Sequence, residues 1–284
     1  RDIALLKQVD LNIASSVTVL DISLEKNIEA LLPILAKGID TFYIDHHRSG
    51  DIPTSNSLKS LINTDANTCT SLLVNDYLEG QFAHWAIVAA FGDNMKSSAN
   101  KLVEEQGLTV QEAQTLESLG IYINYNGYGA KLDDLHYHPA ELYKLLLNYP
   151  NPLDLIAVPD SIYYQLEKAY QEDMRKAQSA KVLSDNEVVK VVSLVDESWA
   201  RRVSGVFGND LANQSPDKAH AVLTLNANQT YTVSVRAPLN NKQGADVICS
   251  QFPTGGGRAG AAGVNELKEA DIAKFINSLQ NYYL

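Results

Sequence analysis

A chain of 284 residues with 45% hydrophobic and 20% charged side chains has a globular composition, which excludes a disordered chain and leaves room for one large domain or two ordinary ones. Its 23 Lys and Arg stand against 34 Asp and Glu, a net charge of −11. That balance excludes a general duplex-coating protein, because such affinity comes from neutralising phosphates with basic side chains. A small phosphorylated substrate held by metal ions and a few arginines remains compatible with it.

No apolar run approaches the ~18 residues that a spanning helix needs. Cys69 and Cys249 are too few and too far apart for a disulfide framework and lack zinc-site spacing, so they read as reduced thiols of a cytoplasmic protein. No signal-peptide pattern is read in the first residues. Residue 1 is Arg rather than Met, and the numbered chain is not expected to start at a translation start.

In chain order, residues 17–22 are β-branched and apolar with one carboxylate, Asp21, near the end, as in a buried parallel strand. A helical pattern follows through Leu31, Leu32, Ile34 and Leu35, with Gly38 as its stop. A second apolar run, Phe42, Tyr43 and Ile44, leads straight into Asp45, His46, His47 and Arg48, completing a βαβ unit. After a polar loop, residues 68–71 offer helix N-caps before Leu72, Leu73 and Val74, and are read as capping.

Residues 82–91 are apolar almost all round and end in Gly92, Asp93 and Asn94, a buried helix that delivers a carboxylate. Residues 100–178 read as helices and loops, with Tyr122, Tyr125 and Tyr128 beside Gly127 and Gly129 as an exposed aromatic loop. Residues 167–181 read as a connecting helix, with a domain boundary near 180. Strands are expected at 188–195, 219–225 and 230–237, the last two as a hairpin turning at residues 226–228. A glycine-rich loop and an amphipathic helix from about residue 268 to 282 close the chain.

Three apolar elements thus end in Asp21, in Asp45, His46 and His47, and in Asp93. A strand end or helix cap explains any one of these and explains the three together less well. Mixed carboxylate and imidazole donors suit Mn²⁺ or Fe²⁺. Gly255, Gly256, Gly257 and Arg258 form a second constellation, in which backbone N–H groups and a planar guanidinium match phosphate or carboxylate. His136 and His138 read as a polar loop before a helix starting at Pro139, and His84 as a satisfied core histidine. Arg201 and Arg202 are read either as part of a phosphate-binding face or as solvated.

The Asp-ended strand, the DHHR stretch, the later GDN and the C-terminal GGGRAGAAG, in that order over residues 17–263, resemble the DHH phosphoesterase superfamily with its DHH-associated C-terminal domain, as in nanoRNase and RecJ-like phosphoesterases. The resemblance implies an α/β fold: a mainly parallel-sheet domain over residues 1–180 with helices on both faces, linked by a helix to a smaller mixed α+β domain over 181–284 whose glycine loop faces the metals across a cleft. It implies two divalent metal ions, Mn²⁺ first among them. Asp21 would bridge the metals, and His46 and Asp93 would be direct ligands. His47 would contact phosphate or share in leaving-group proton transfer, and Asp45 would orient a histidine. Arg48, Gly255, Gly256, Gly257 and Arg258 would bind substrate.

The implied reaction is hydrolysis of phosphodiester or phosphomonoester bonds in small nucleotidic substrates such as short single-stranded oligonucleotides, cyclic dinucleotides or nucleoside bisphosphates. No membrane partner is implied, and a homodimer is allowed without being specified. The sequence departs from the family in two places. An aspartate-rich first motif should precede Asp21, and Asp2 and Asp10 lack its spacing. The expectation is therefore that about one βα unit is absent from this chain, or that the lineage lost catalysis and is a nucleotide-binding or regulatory protein. Arg258 also stands where His is frequent, which assigns it binding rather than proton transfer.

Overall fold

The structure is a computed structural model describing residues 4–65 and 67–284; Asp2 lies outside the described residues. The chain divides into two compact units. The first comprises the residues up to Ile121 together with Leu146–Val158, and the second Tyr122–Leu145 and Pro159–Leu284. This partition cuts the chain differently from a single boundary near residue 180.

In the first unit, β1 (Ser16–Leu20), α1 (Leu24–Ala36), β2 (Asp40–Asp45) and β3 (Leu58–Ile62) build a parallel sheet in the order β1-β2-β3. The register pairs Leu20 with Ile44, and Asp45 with Ile62. All three strands therefore end at one rim, the edge where open α/β sheets hold ligands. Leu24, Leu31, Ile34 and Leu35 of α1 are buried, in one core with Val19 and Tyr43. Gly38, at φ +71°, turns the chain back into β2. The strand β3 lies where only a polar loop was expected. It is a half-exposed edge carrying Lys59 and Ser60, so it lacks the continuous apolar run of a central strand.

Helices follow: α2 (Thr70–Tyr77), α3 (Ala83–Gly92), α4 (Lys96–Glu105), α5 (Val110–Asn126), α6 (Pro139–Leu146), α7 (Pro152–Ala157) and α8 (Ile162–Ala177). As its apolar circumference implies, α3 is buried through Ala83, Ala86, Ile87, Val88, Ala90 and Phe91. It meets α5 at closest range through Gly120, where a Cβ would lie 2.1 Å from the Val88 carbonyl oxygen. Tyr122 and Tyr125 are not on an exposed loop; they are buried at the end of α5. Their hydroxyls find partners there: Tyr122 donates to Glu167 Oε1 at 3.2 Å, and Tyr125 to Asp173. A buried tyrosine needs such a partner for its polar end.

The second unit holds β4 (Lys181–Asp185), β5 (Val189–Leu194), α9 (Ser198–Gln214), β6 (Ala219–Leu225), β7 (Thr230–Arg236), α10 (Ala245–Cys249), β8 (Gly255–Gly257), β9 (Ala261–Lys268) and α11 (Ile272–Tyr283). Their sheet runs β4-β5-β6-β7-β9-β8. It is mixed, parallel where α9 crosses from β5 to β6 and antiparallel at its other pairings. With six strands against three it is the larger of the two sheets. One core joins Val191, Leu223, Val233, Val235 and Val264 to Phe275 and Leu279 of α11.

The hairpin expected between β6 and β7 is present, closed by the Asn226 N–H donating to the Thr230 carbonyl at 2.8 Å. The glycine run differs from the expected loop. Gly255, Gly256 and Gly257 form the edge strand β8, returning into β9 through a turn in which the Arg258 N–H donates to the Ala261 carbonyl at 2.9 Å. Glycine is required for this pairing: a Cβ at Gly255 would fall 1.7 Å from the Cys249 carbonyl oxygen, and Gly257 has φ +149°. Among the described residues no helix is long and apolar enough to cross a membrane.

Candidate metal centre

Asp21 is the first residue beyond β1. Its backbone is left-handed, at φ 60°, and its N–H donates to the Ile44 carbonyl at 3.1 Å. Aspartate tolerates this region better than most residues. The turn places the carboxylate at the strand rim rather than on a sheet face. There Asp21 Oδ1 accepts the Thr70 hydroxyl at 2.8 Å and lies 3.2 Å from His46 Nε2.

His46 and His47 follow the end of β2, so strict alternation across the sheet no longer separates them. Their rings stand edge to face with centroids 4.7 Å apart. His46, 5% exposed, donates from Nδ1 to the Thr68 carbonyl at 2.9 Å. His47 donates from Nδ1 to Oδ1 of the fully buried Asp45 at 2.7 Å. Ligand atoms of Asp21, His46 and His47 all lie within 4.8 Å of one another.

These contacts fit a divalent cation. The Thr68 carbonyl can only accept, so Nδ1 of His46 carries the proton, and in the neutral ring Nε2 presents a lone pair. With the ring protonated, Nε2–H donates to Asp21 Oδ1 at 3.2 Å; a divalent cation bound to the neutral ring would take that proton's place. Asp45 leaves Nε2 of His47 as the available nitrogen in the same way. Each imidazole is thus oriented by an oxygen on its far side, the arrangement that sets tautomer and basicity in metal-ligating histidines. Asp45 Oδ2 is buried with no hydrogen-bond partner among the described residues, which adds negative potential behind His47.

Burial works to raise the Asp21 carboxyl. Hydrogen bonds with His46 and Thr70, and the positive potential of His46 and His47, outweigh it and hold the group below the usual carboxylate range. Burial also pushes the Cys69 thiol up to about 11, helped by the negative charges of Asp93 and Asp21 and opposed by hydrogen bonds from the Leu72 and Ser71 amides. Cys69 is therefore a neutral thiol rather than a thiolate ligand.

Asp93 caps the C-terminus of α3, exposed, with its N–H donating to the Ala89 carbonyl at 3.0 Å. It acts on Cys69 together with Asp21, but its carboxylate is outside the set of mutually close ligand atoms, whereas His47 is inside it. The Arg48 side chain is 86% exposed, with Nε 3.6 Å from Glu25 Oε1. Arg258 is exposed at the turn after β8 in the second unit.

Thr68 and Thr70 were missed as site residues. The threonine-rich stretch reads as helix caps, but the N-cap of α2 is Cys69, without a side-chain cap bond, and the threonine oxygens turn to His46 and Asp21 instead. The other basic candidates are engaged elsewhere. His84 Nδ1 lies 3.1 Å from Asn151 Oδ1, His136 Nε2 lies 2.8 Å from the Tyr125 hydroxyl, and His138 Nδ1 accepts the Ala140 N–H at 3.2 Å. Arg201 grips both oxygens of Asp134 at 2.9 Å, and Arg202 binds Asp173 at 2.8 Å, so neither is simply solvated.

Comparison of the sequence with family models and with curated proteins gives no match. The fold, however, is shared with solved structures. An exopolyphosphatase-related protein from Bacteroides fragilis aligns at TM-score 0.50 and 16% identity over 96% of this chain and 73% of its own. The pGpG-specific phosphodiesterase PggH from Vibrio cholerae aligns at TM-score 0.51 and 10% identity over 95% of this chain and 98% of its own. RecJ from Thermus thermophilus, in complex with Mn²⁺, aligns at TM-score 0.54 and 16% identity over 96% of this chain and 45% of its own.

Proposed function

We propose that this chain is a metal-dependent phosphoesterase of the DHH type, hydrolysing phosphodiester or phosphomonoester bonds of small nucleotidic substrates with two divalent cations, Mn²⁺ foremost. The convergence of Asp21, His46 and His47 ligand atoms within 4.8 Å carries this reading. The shared fold with a pGpG-specific phosphodiesterase and with a Mn²⁺-bound RecJ supports it. The two buried free thiols, Cys69 and Cys249, support a reducing, cytoplasmic setting.

Asp21 and His46 would hold the cation, with Asp93 at the end of α3 as a further candidate ligand. A bound divalent cation supplies Lewis acidity toward phosphoryl oxygens and lowers the pKa of water. His47 presents Nε2 to the phosphoryl group or leaving oxygen, and the Asp45 carboxylate fixes the ring and stabilises a proton taken up there. Arg48 and Arg258 would take non-bridging oxygens, whereas the Gly255 N–H is committed to the Phe252 carbonyl at 2.9 Å. Arginine stays charged at every working pH and so binds without exchanging protons. The acidic surface repels long duplexes and leaves short, mobile nucleotides as the favoured class.

The test is Mn²⁺-dependent release of mononucleotide from the dinucleotide pGpG, with Asp21→Ala and His46→Ala alongside. Loss of roughly 1000-fold or more is expected in each, from several kcal/mol of lost transition-state stabilisation. Equal rates in the unmodified protein and both variants would rule out the site.

A further inference from the structure

Asp21 sits outside β1, and its side chain is 58% exposed. Its peptide N–H is fixed to Ile44, but that bond leaves rotation of the carboxylate open. The restraint comes from the start of α2. Thr70, 5% exposed, donates its hydroxyl to Asp21 Oδ1 at 2.8 Å across 49 residues of sequence. Two residues earlier, the Thr68 carbonyl takes the Nδ1 proton of His46 across 22 residues. One short segment therefore holds both the carboxylate and the imidazole that face each other at 3.2 Å.

Threonine near a helix start ordinarily acts as an N-cap, with its hydroxyl on the helix's own amides. Here the N-cap is Cys69, no side-chain cap bond forms, and the Thr70 hydroxyl points to Asp21. Its β-branch leaves few χ1 rotamers, so the hydroxyl is held on that line. We propose that Thr70 is a positioning residue of the metal centre: it sets the plane of the Asp21 carboxylate so that the remaining lone pairs converge with Nε2 of His46 before a cation arrives. The proposal rests on the metal-site reading above and adds to it the element that pre-organises the ligands. Groups that orient metal ligands in this way typically contribute about 10- to 100-fold in affinity.

The experiment is a Mn²⁺ titration of the full chain, with free Mn²⁺ followed by electron paramagnetic resonance. Thr70→Val keeps the shape and removes the hydroxyl, and Thr70→Ser keeps the hydroxyl and removes the methyl. Thr70→Val is expected to bind Mn²⁺ about 10- to 100-fold more weakly, and Thr70→Ser close to the unmodified protein. Unchanged affinity in Thr70→Val, or Thr70→Ser as weak as Thr70→Val, overturns the proposal. Circular dichroism checks folding, and Thr70→Ala against Thr70→Ser makes the same comparison if valine prevents it. His46→Ala separates the two levels. Full Mn²⁺ affinity in His46→Ala removes the metal site and the proposal together, whereas loss there with no loss in Thr70→Val removes the Thr70 assignment alone.

Discussion

Two clusters built from similar side chains behave in opposite ways. In the second unit, the fully buried Asp134 carboxylate receives Arg201, Ser198 Oγ and the N–H groups of Ala130 and Lys131. Asp173 receives Arg202, with Tyr125 and His136 beside it. Every acceptor there meets donors. At the rim of the first sheet, Asp21 pairs with His46 at 3.2 Å beside His47, and a buried oxygen of Asp45 has no partner among the described residues. A satisfied network holds a fold together, whereas converging carboxylate and imidazole atoms can hold a divalent cation. In the proposed reading the cluster at the rim of the first sheet is the metal centre, and the Asp134 and Asp173 network serves stability.

The largest stability effect should come from breaking the satisfied cluster. Arg202→Met leaves Asp173, 3% exposed, without its guanidinium, and removing one member of a buried pair costs about 3–5 kcal/mol. Urea unfolding checks this; a loss below about 1 kcal/mol would place Arg202 among ordinary surface pairs.

A smaller, graded effect is expected in acid. Hydrogen bonds from Arg201 hold Asp134 well below the usual carboxylate range. Burial raises Asp173, but hydrogen bonds from His136, Arg202 and Tyr125 overcome that and hold it low as well. Depressed carboxyls contribute stability that is present above the unfolded value of ~3.9 and lost as pH falls toward the folded one. Melting temperature should therefore drop as pH falls below about 4, and less steeply in a variant carrying both Asp134→Asn and Asp173→Asn. Parallel profiles for the variant and the unmodified protein would contradict the assignment.

The smallest stability change is expected at Arg48. Its pairing with Glu25 is exposed and long, at 3.6 Å, so Arg48→Ala should shift unfolding by under about 0.5 kcal/mol while raising KM in the proposed phosphoesterase reaction. A change in stability with KM untouched would assign Arg48 to the scaffold.

Much of this contrast was legible in the sequence, because it follows local periodicity. The β-branched run before Asp21, the apolar i, i+3, i+4 pattern of α1 and the run into Asp45 gave β1, α1 and β2 in order. The apolar circumference of α3 and the hairpin at Asn226 were readable for the same reason. Long-range partners were not. Thr70 looks like a cap until the fold brings Asp21 to it, and Tyr125 looks like loop decoration until Asp173 and Arg202 surround its hydroxyl. The strand β3 was hidden by Lys59 and Ser60, and β8 by glycines whose strand geometry depends on the close approach of Cys249 and Ala262.

The most direct test of the central claim is the Mn²⁺ titration itself, run on the unmodified protein and on His46→Ala under the same ionic strength. Saturable binding in the first and its loss in the second is the result this account predicts. Binding of equal strength in both would contradict it.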